Sequence, residues 1–251
     1  MRITIRLSAL ITAILLSLCS PSLAAKQSPL HQVLAKGKAV VNIEAIDAAA
    51  YKDGKPKSVF DKATGQILII QKIRHIASVQ TGGGIILNSQ GIILTAAHTL
   101  KNKKNINVTL FDGTKLSAKI IYEVPSQDLS FLLIRPPFPL ETIPLANSDA
   151  APVGMQVYAM GRAQWLQGTL TGGQISALGL EKLNKKIRVT SFRIHFKAYK
   201  GDSGSPILDG QGNLLGMISA GEVVGATTYA ITSNMIGTEY EKFLRAESWK
   251  G

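Results

Sequence analysis

The stretch TGGGIILNSQGIILTAAHTL, residues 81–100, decides how this chain folds. Two apolar runs, 85–87 and 92–96, flank Asn88-Ser89-Gln90-Gly91. The runs are too short for helices, and Asn and Gly are turn residues, so the stretch predicts a β-hairpin. Small residues, Ala96 and Ala97, follow the second run, and His98 stands where regular structure stops. Small neighbours let an imidazole turn over a cleft. Taken alone, the stretch leaves open a half-buried histidine with a purely structural role.

The same pattern recurs outward in both directions. Apolar runs occupy 40–46, 67–73, 106–111, 116–124, 129–134, 155–161, 169–178, 187–196, 206–209, 214–220 and 227–232. They are rich in Ile, Val, Thr and Tyr, and turn signals such as Asp112-Gly113 and residues 209–212 separate them. Short strands at this spacing predict an all-β barrel or sandwich. Pro125 and the run 136-PPFP-139 break the pattern, so 136–142 reads as a connection between two β units. The tail, 233–248, reads as a helix, with Ser233 as N-cap and Met235, Ile236, Tyr240, Phe243 and Leu244 at helical spacing. Residues 25–37 are a loose lead-in with a helical turn in 30–37.

Composition narrows the class. In 251 residues, 45% are apolar and 18% charged, which suits a packed fold and excludes a disordered chain. Arg2 and Arg6 precede an apolar run at 7–18, too short for a comfortable membrane span, and Ser22-Leu23-Ala24 offers a cleavage site. Residues 1–24 therefore read as a secretory signal, with an uncleaved anchor or a lipoprotein at Cys19 as alternatives. Cys19 is the only cysteine, so the mature chain has no thiol and no disulfide. That fits a bacterial periplasmic or secreted protein better than a small disulfide-built animal domain. The formal charge of +12 leaves contact with an anionic surface open. No basic stretch is interleaved with aromatics, so nucleic acid is not expected as a partner.

The run KGDSGSPILDG, residues 200–210, carries candidate chemistry. Glycines on both sides of Asp202-Ser203 mark either a turn between strands or a backbone bent to expose a hydroxyl. A serine becomes a useful nucleophile only beside a base, and the base needs an anchor. His98 is the candidate base. Asp128, directly before the apolar run 129–134, is the candidate anchor, since a carboxylate there is partly buried and needs a hydrogen-bonded partner. The four histidines, His31, His75, His98 and His195, show no metal-ligand spacing, which argues against a zinc hydrolase.

Together, 95-TAAH-98, 128-DLSFLLI-134 and 201-GDSGSP-206 resemble, in order and type, the three catalytic segments of the chymotrypsin-like serine proteases. The similarity is closest to the protease domain of the HtrA (Deg) family. It extends through residues 81–100, 108–134, 144–161, 171–179, 212–221 and 228–236. The sequence ends soon after the terminal helix, so the PDZ module usual in HtrA proteins is not expected. Asp202 stands where HtrA proteins commonly have Asn.

The resemblance implies two six-stranded β-barrels with a C-terminal helix. The protease domain would span 38–251, with barrels at about 38–137 and 142–232 and a helix at about 233–247. It implies a serine endopeptidase with His98, Asp128 and Ser203 as catalytic residues and Gly201 and Ser203 as oxyanion-hole donors. A catalytically silent binding protein or an esterase on the same fold is the alternative. Residues 219–221 would pair with an extended substrate, and the primary specificity pocket would include Lys197, Ala198, Ser219, Ala220 and Gly221. Lys197 lies six residues before Ser203. Pointed inward with His195 beside it, it would favour an acidic substrate side chain; pointed outward, it would leave Ala198 lining a small apolar pocket. Polypeptide substrates, unfolded proteins among them, are implied, with no cofactor and no metal, and a homo-oligomer is open.

Overall fold

A computed structural model describes residues 28–46, 57–61, 66–70, 79–103, 105–161, 169–183, 187–222 and 225–246. The expected signal segment, residues 1–24, lies outside them. The lead-in forms a short helix, α1 (Pro29–Leu34), capped by the Ser28 side chain on the His31 N–H. The alternating run 40-VVNIEAI-46 becomes β1 (Val40–Ile46), with Val41, Ile43 and Ala45 buried, as a period of two on one covered face requires. Among the described residues, strands β2 (Lys57–Asp61) and β3 (Gln66–Ile70) pair with each other in a separate two-stranded sheet. Apolar content had grouped 67–73 with the other strands; an apolar run by itself does not specify its partner. Residues 71–73 lie outside the described residues.

The hairpin of 81–100 forms from β4 (Val79–Ile86) and β5 (Ile92–Ala96). Asn88 Oδ1 accepts the Ile92 N–H at 2.9 Å and Gly91 adopts a φ of 106°. Helix α2 (Ala97–Leu100) follows, and then β6 (Asn105–Thr109), β7 (Lys115–Val124) and β8 (Leu129–Leu133). The first barrel closes in the order β1-β4-β5-β8-β7-β6.

The second barrel is built from β9 (Gln156–Gly161), β10 (Thr169–Lys182), β11 (Arg188–His195), β12 (Pro206–Leu208), β13 (Leu214–Gly221) and β14 (Thr227–Thr232). It closes in the order β10-β11-β14-β13-β12-β9. Closure removes the open edges that an antiparallel sheet would otherwise expose.

One apolar cluster fills the first barrel and continues through Met160, Leu208, Leu214, Met217, Ile231, Ile236 and Phe243. A second fills the other barrel around Val157, Ile175, Phe192, Ile194 and Ile207. Each fully buried Leu, Ile or Phe contributes about 1.5–3 kcal/mol. The last described element is α3 (Ser233–Arg245), which packs on β13 and β14 of the second barrel and reaches β8 of the first. Phe131 of β8 stacks with Tyr240 at 5.8 Å and with Phe243 at 6.0 Å. The N-cap is Thr232, not Ser233: Ser233 is the first helical residue, and its hydroxyl donates to the Ala146 carbonyl at 2.8 Å. A free helical N–H is satisfied from outside instead, by Ser148 Oγ on the Asn234 N–H at 3.1 Å. The helix thereby also holds the connection between the barrels.

Candidate active site

His98 sits where β5 gives way to α2. Buried Ala96 and Ala97 leave room around it, and Thr99 Oγ1 donates to the Ala96 carbonyl at 2.6 Å to fix the turn. Asp128 lies at the end of a one-turn 3-10 helix, Pro125–Gln127, and adopts the left-handed conformation with φ 58° and ψ 32°. Asp is one of the few residues with a side chain that tolerates this region. Its carbonyl accepts the Ala97 N–H at 3.1 Å, which places its carboxylate beneath His98.

That carboxylate is 1% exposed and fully engaged. Asp128 Oδ1 accepts the His98 backbone N–H at 2.9 Å, and both oxygens lie 2.9–3.0 Å from His98 Nδ1. Asp128 Oδ2 also accepts the Ser219 hydroxyl. An ionised carboxylate only accepts, so His98 Nδ1 carries the ring proton and Nε2 is left with a lone pair. His98 Nε2 lies 3.1 Å from Ser203 Oγ.

Ser203 stands on a loop of the second barrel that docks against β4 of the first. Gly83 N–H donates to the Ser203 carbonyl at 2.8 Å. Gly204, at φ 88°, comes so close that a Cβ there would stand 2.1 Å from the Gly83 carbonyl oxygen. A Cβ on Gly83 would meet Ser205 Oγ at 2.2 Å. Gly82 and Gly83 in β4 are therefore places where another backbone approaches, the usual meaning of glycine inside a strand.

The segment before Ser203 is a type II turn. Asp202 N–H donates to the Tyr199 carbonyl at 3.0 Å, Gly201 has φ 104°, and Lys200 is not among the positive-φ residues. A positive φ at the third position alone selects type II and fixes the orientation of the Lys200–Gly201 peptide. Asp202 holds the same turn from its side chain, with Oδ2 accepting the Tyr199 N–H at 2.7 Å. The residue is 8% exposed; burial pushes its carboxyl above the ordinary value, and only the Tyr199 N–H opposes that.

A cavity of about 340 Å³ opens beside Ser203, lined by Lys197, Ala198, Tyr199, Lys200, Ile218, Ala220, Gly221 and Glu222. Thr228 Oγ1 positions its wall, donating to the Phe196 carbonyl at 2.8 Å and accepting the Ala198 N–H at 3.1 Å. The absence of a side chain at 221 keeps the cavity open, since a Cβ on Gly221 would lie 3.2 Å from the Ala198 methyl. Lys197 is exposed, with its ammonium 5.8 Å above the Tyr199 ring. His195 ends β11 exposed and does not line the cavity. Ser219 does not line it either, because its side chain turns to Asp128. A larger cavity of about 770 Å³, with apolar walls at Leu100, Ile120, Pro125 and Ile187, also touches His98 and Asp128.

Beyond its pairing with β12, β13 meets the Ser203 loop: Ile218 bonds to Gly204 and Ser205, and the Ser219 carbonyl accepts the Ser203 hydroxyl at 3.5 Å. Residues 219–221 thus have no strand partner on that side among the described residues. Among the same residues no cluster of three or more His, Cys, Asp or Glu side chains could hold a metal ion. Three features escaped sequence reasoning: the Ser219–Asp128 bond, the Asp202 self-cap and the Gly83 docking. Only the last had a signal, the glycine run within a strand.

A family model, the trypsin-like peptidase domain, matches residues 82–217. The periplasmic serine endoprotease DegP of Salmonella typhimurium is 34% identical over 161 residues, covering 62% of this chain and 34% of that protein. The periplasmic pH-dependent serine endoprotease DegQ of Escherichia coli is 32% identical over 206 residues, covering 80% and 44%. The chain thus spans between about a third and under half the length of these relatives. Among solved structures, the HtrA-type protease AlgW with a tripeptide superposes with a TM-score of 0.68 at 22% identity, over 85% of this chain and 62% of that one.

Proposed function

The chain belongs to the trypsin-like peptidase family, and from that premise we propose that it is an exported serine endopeptidase, cleaving polypeptides through Ser203, His98 and Asp128. The observation that carries this is the continuous run of hydrogen bonds from Ser203 Oγ through both His98 nitrogens to the buried Asp128 carboxylate. In the proposed reaction Ser203 Oγ attacks the scissile carbonyl as its proton passes to His98 Nε2. Asp128 keeps Nδ1 protonated and stabilises the imidazolium. The N–H groups of Gly201 and Ser203 stabilise the oxyanion, a reading supported by the positive φ of Gly201 in the turn before Ser203; one such donor is worth about 3–4 kcal/mol in the barrier. His98 then protonates the leaving amine, and water hydrolyses the acyl-enzyme with the same residues in reverse roles.

An extended substrate adds as a strand to the unpaired side of residues 219–221. The Ala198 methyl on one wall and the space at Gly221, where a Cβ would stand 3.2 Å from that methyl, favour a small apolar side chain in the cavity, with Lys197 on Tyr199 at the rim. Export to the periplasm is supported by the signal-like residues 1–24 and by the periplasmic relatives.

A fluorophosphonate probe tests the activity. Covalent labelling and cleavage of a denatured protein are expected, both lost in Ser203→Ala; absence of labelling in the folded parent protein would overturn the proposal. A peptide library tests the cavity: preference for Glu or Asp at the cleaved position would reverse the assignment of Lys197.

A further inference from the structure

Glu239, on the C-terminal helix, is 4% exposed yet carries a carboxylate. Three donors from three elements meet it: Tyr122 OH of β7 at 3.1 Å, Gln127 Nε2 of the 3-10 turn at 3.2 Å, and Lys242 Nζ of its own helix at 2.8 Å. Burial alone would push its carboxyl up, but these bonds outweigh burial and hold it below the ordinary glutamate value. Nothing in the proposed reaction uses this group.

Gln127 is the residue directly before Asp128. Its Oε1 is buried without a partner, so the bond to Glu239 is what engages its side chain among the described residues. Asp128 itself holds a left-handed backbone that an L side chain seldom adopts, reached by a single turn, Pro125–Gln127. The strand after it is gripped by the same helix, through Phe131 stacked on Tyr240 and Phe243. The helix therefore holds the chain on both sides of Asp128, by a charge-assisted hydrogen bond before it and by aromatic packing after it.

We propose that Glu239 is a positioning residue for the proposed peptidase reaction: it anchors Gln127 and so keeps the Asp128 carboxylate under His98. The inference rests on the assignment of His98, Asp128 and Ser203 above. A carboxylate suits the place because three donors converge and an acceptor-only group satisfies all of them. In Glu239→Gln the amide turns donors toward donors. In Gln127→Glu two carboxylates face each other.

Both single variants are expected to lower kcat about 10-fold, and up to 10²-fold where the carboxylate shifts by an ångström, with KM little changed. The far-downfield NMR resonance of His98 Nδ1–H should weaken in parallel. The double variant Gln127→Glu with Glu239→Gln restores one donor to one acceptor and should recover most of the lost kcat. Tyr122→Phe breaks another bond to Glu239 without touching Gln127, so it should lower the Tm while leaving kcat unchanged. If the single variants keep parental kcat and the His98 resonance while losing Tm as Tyr122→Phe does, Glu239 is structural only and the inference fails. Failure of the parent protein to react with the fluorophosphonate would instead remove the peptidase assignment.

Discussion

Asp128 and Asp202 are both buried carboxylates of the site, and they are satisfied in opposite ways. Asp128 receives the His98 backbone N–H, the His98 ring N–H and the Ser219 hydroxyl, from both barrels. Asp202 receives one backbone N–H, from a residue three positions earlier in its own turn, and among the described residues no cation opposes the burial that raises its pKa. The first is a junction whose geometry depends on distant parts of the chain. The second is a local staple that needs only an acceptor, which Asn supplies as well as Asp. A buried charge thus tells little about its role until its donors are traced to their elements.

The contrast can be broken at its strong end. Asp128→Asn keeps the shape but no longer demands a donor at Nδ1, so the wrong tautomer of His98 becomes available. Peptide hydrolysis should show a fall in kcat of ~10⁴-fold, the size seen when this relay loses its acceptor. Ser219→Ala removes one donor of the three. A hydrogen bond to a charged group is worth about 1.5–3 kcal/mol, so kcat should drop by roughly 10–100-fold if most of that falls on the transition state. Equal turnover by Ser219→Ala and the parent would show that two donors suffice to hold Asp128.

Smaller effects sharpen the other end. Asp202→Ala leaves the Tyr199 N–H without its side-chain acceptor and loosens the turn that carries Gly201. It should reduce kcat by about 10-fold, the scale of one buried hydrogen bond. Asp202→Asn keeps the acceptor and should leave kcat near the parental value while raising the Tm at neutral pH. The sign follows from the raised pKa. Protonation of Asp202 favours the folded state, so its contribution is fully present below the ordinary aspartate pKa of about 3.9 and is lost as pH rises through the raised value. Melting curves of the two proteins should converge as pH is lowered toward 4; a constant gap would show that charge burial is not the cause.

The barrels were legible in the sequence because alternation and turn chemistry are local. The hairpin of 81–100 needs only Asn88, Gly91 and two apolar runs. His98 follows an apolar run, Asp128 directly precedes one, and Ser203 lies between Gly201 and Gly204; none decides the matter alone, and it is the three in that order that resemble a catalytic set. The remainder depends on partners far apart along the chain. Gln127 and Glu239 are separated by 112 residues, and Ser219 and Asp128 by 91, so no window of sequence displays either bond. Ser233 has the chemistry of an N-cap, but a carbonyl of the inter-barrel connection, Ala146, takes its hydroxyl instead. The hairpin of β2 and β3 shows the same limit, since an apolar run does not state which sheet it joins.

The seam at Gly83 and Gly204 sets how this protein can change over time. There Gly83 and Gly204 pack against backbone and against the Ser205 and Thr95 hydroxyls, with no room for a Cβ at either glycine, so no side chain can be added by degrees. The cavity walls at 197–200 and 220–222 can vary one residue after another, so under the proposed function new substrate tastes are reachable in small steps. If His98 and Ser203 act as proposed, their spacing is not adjustable in that way: a lineage keeps the seam intact or loses the proposed activity at a stroke.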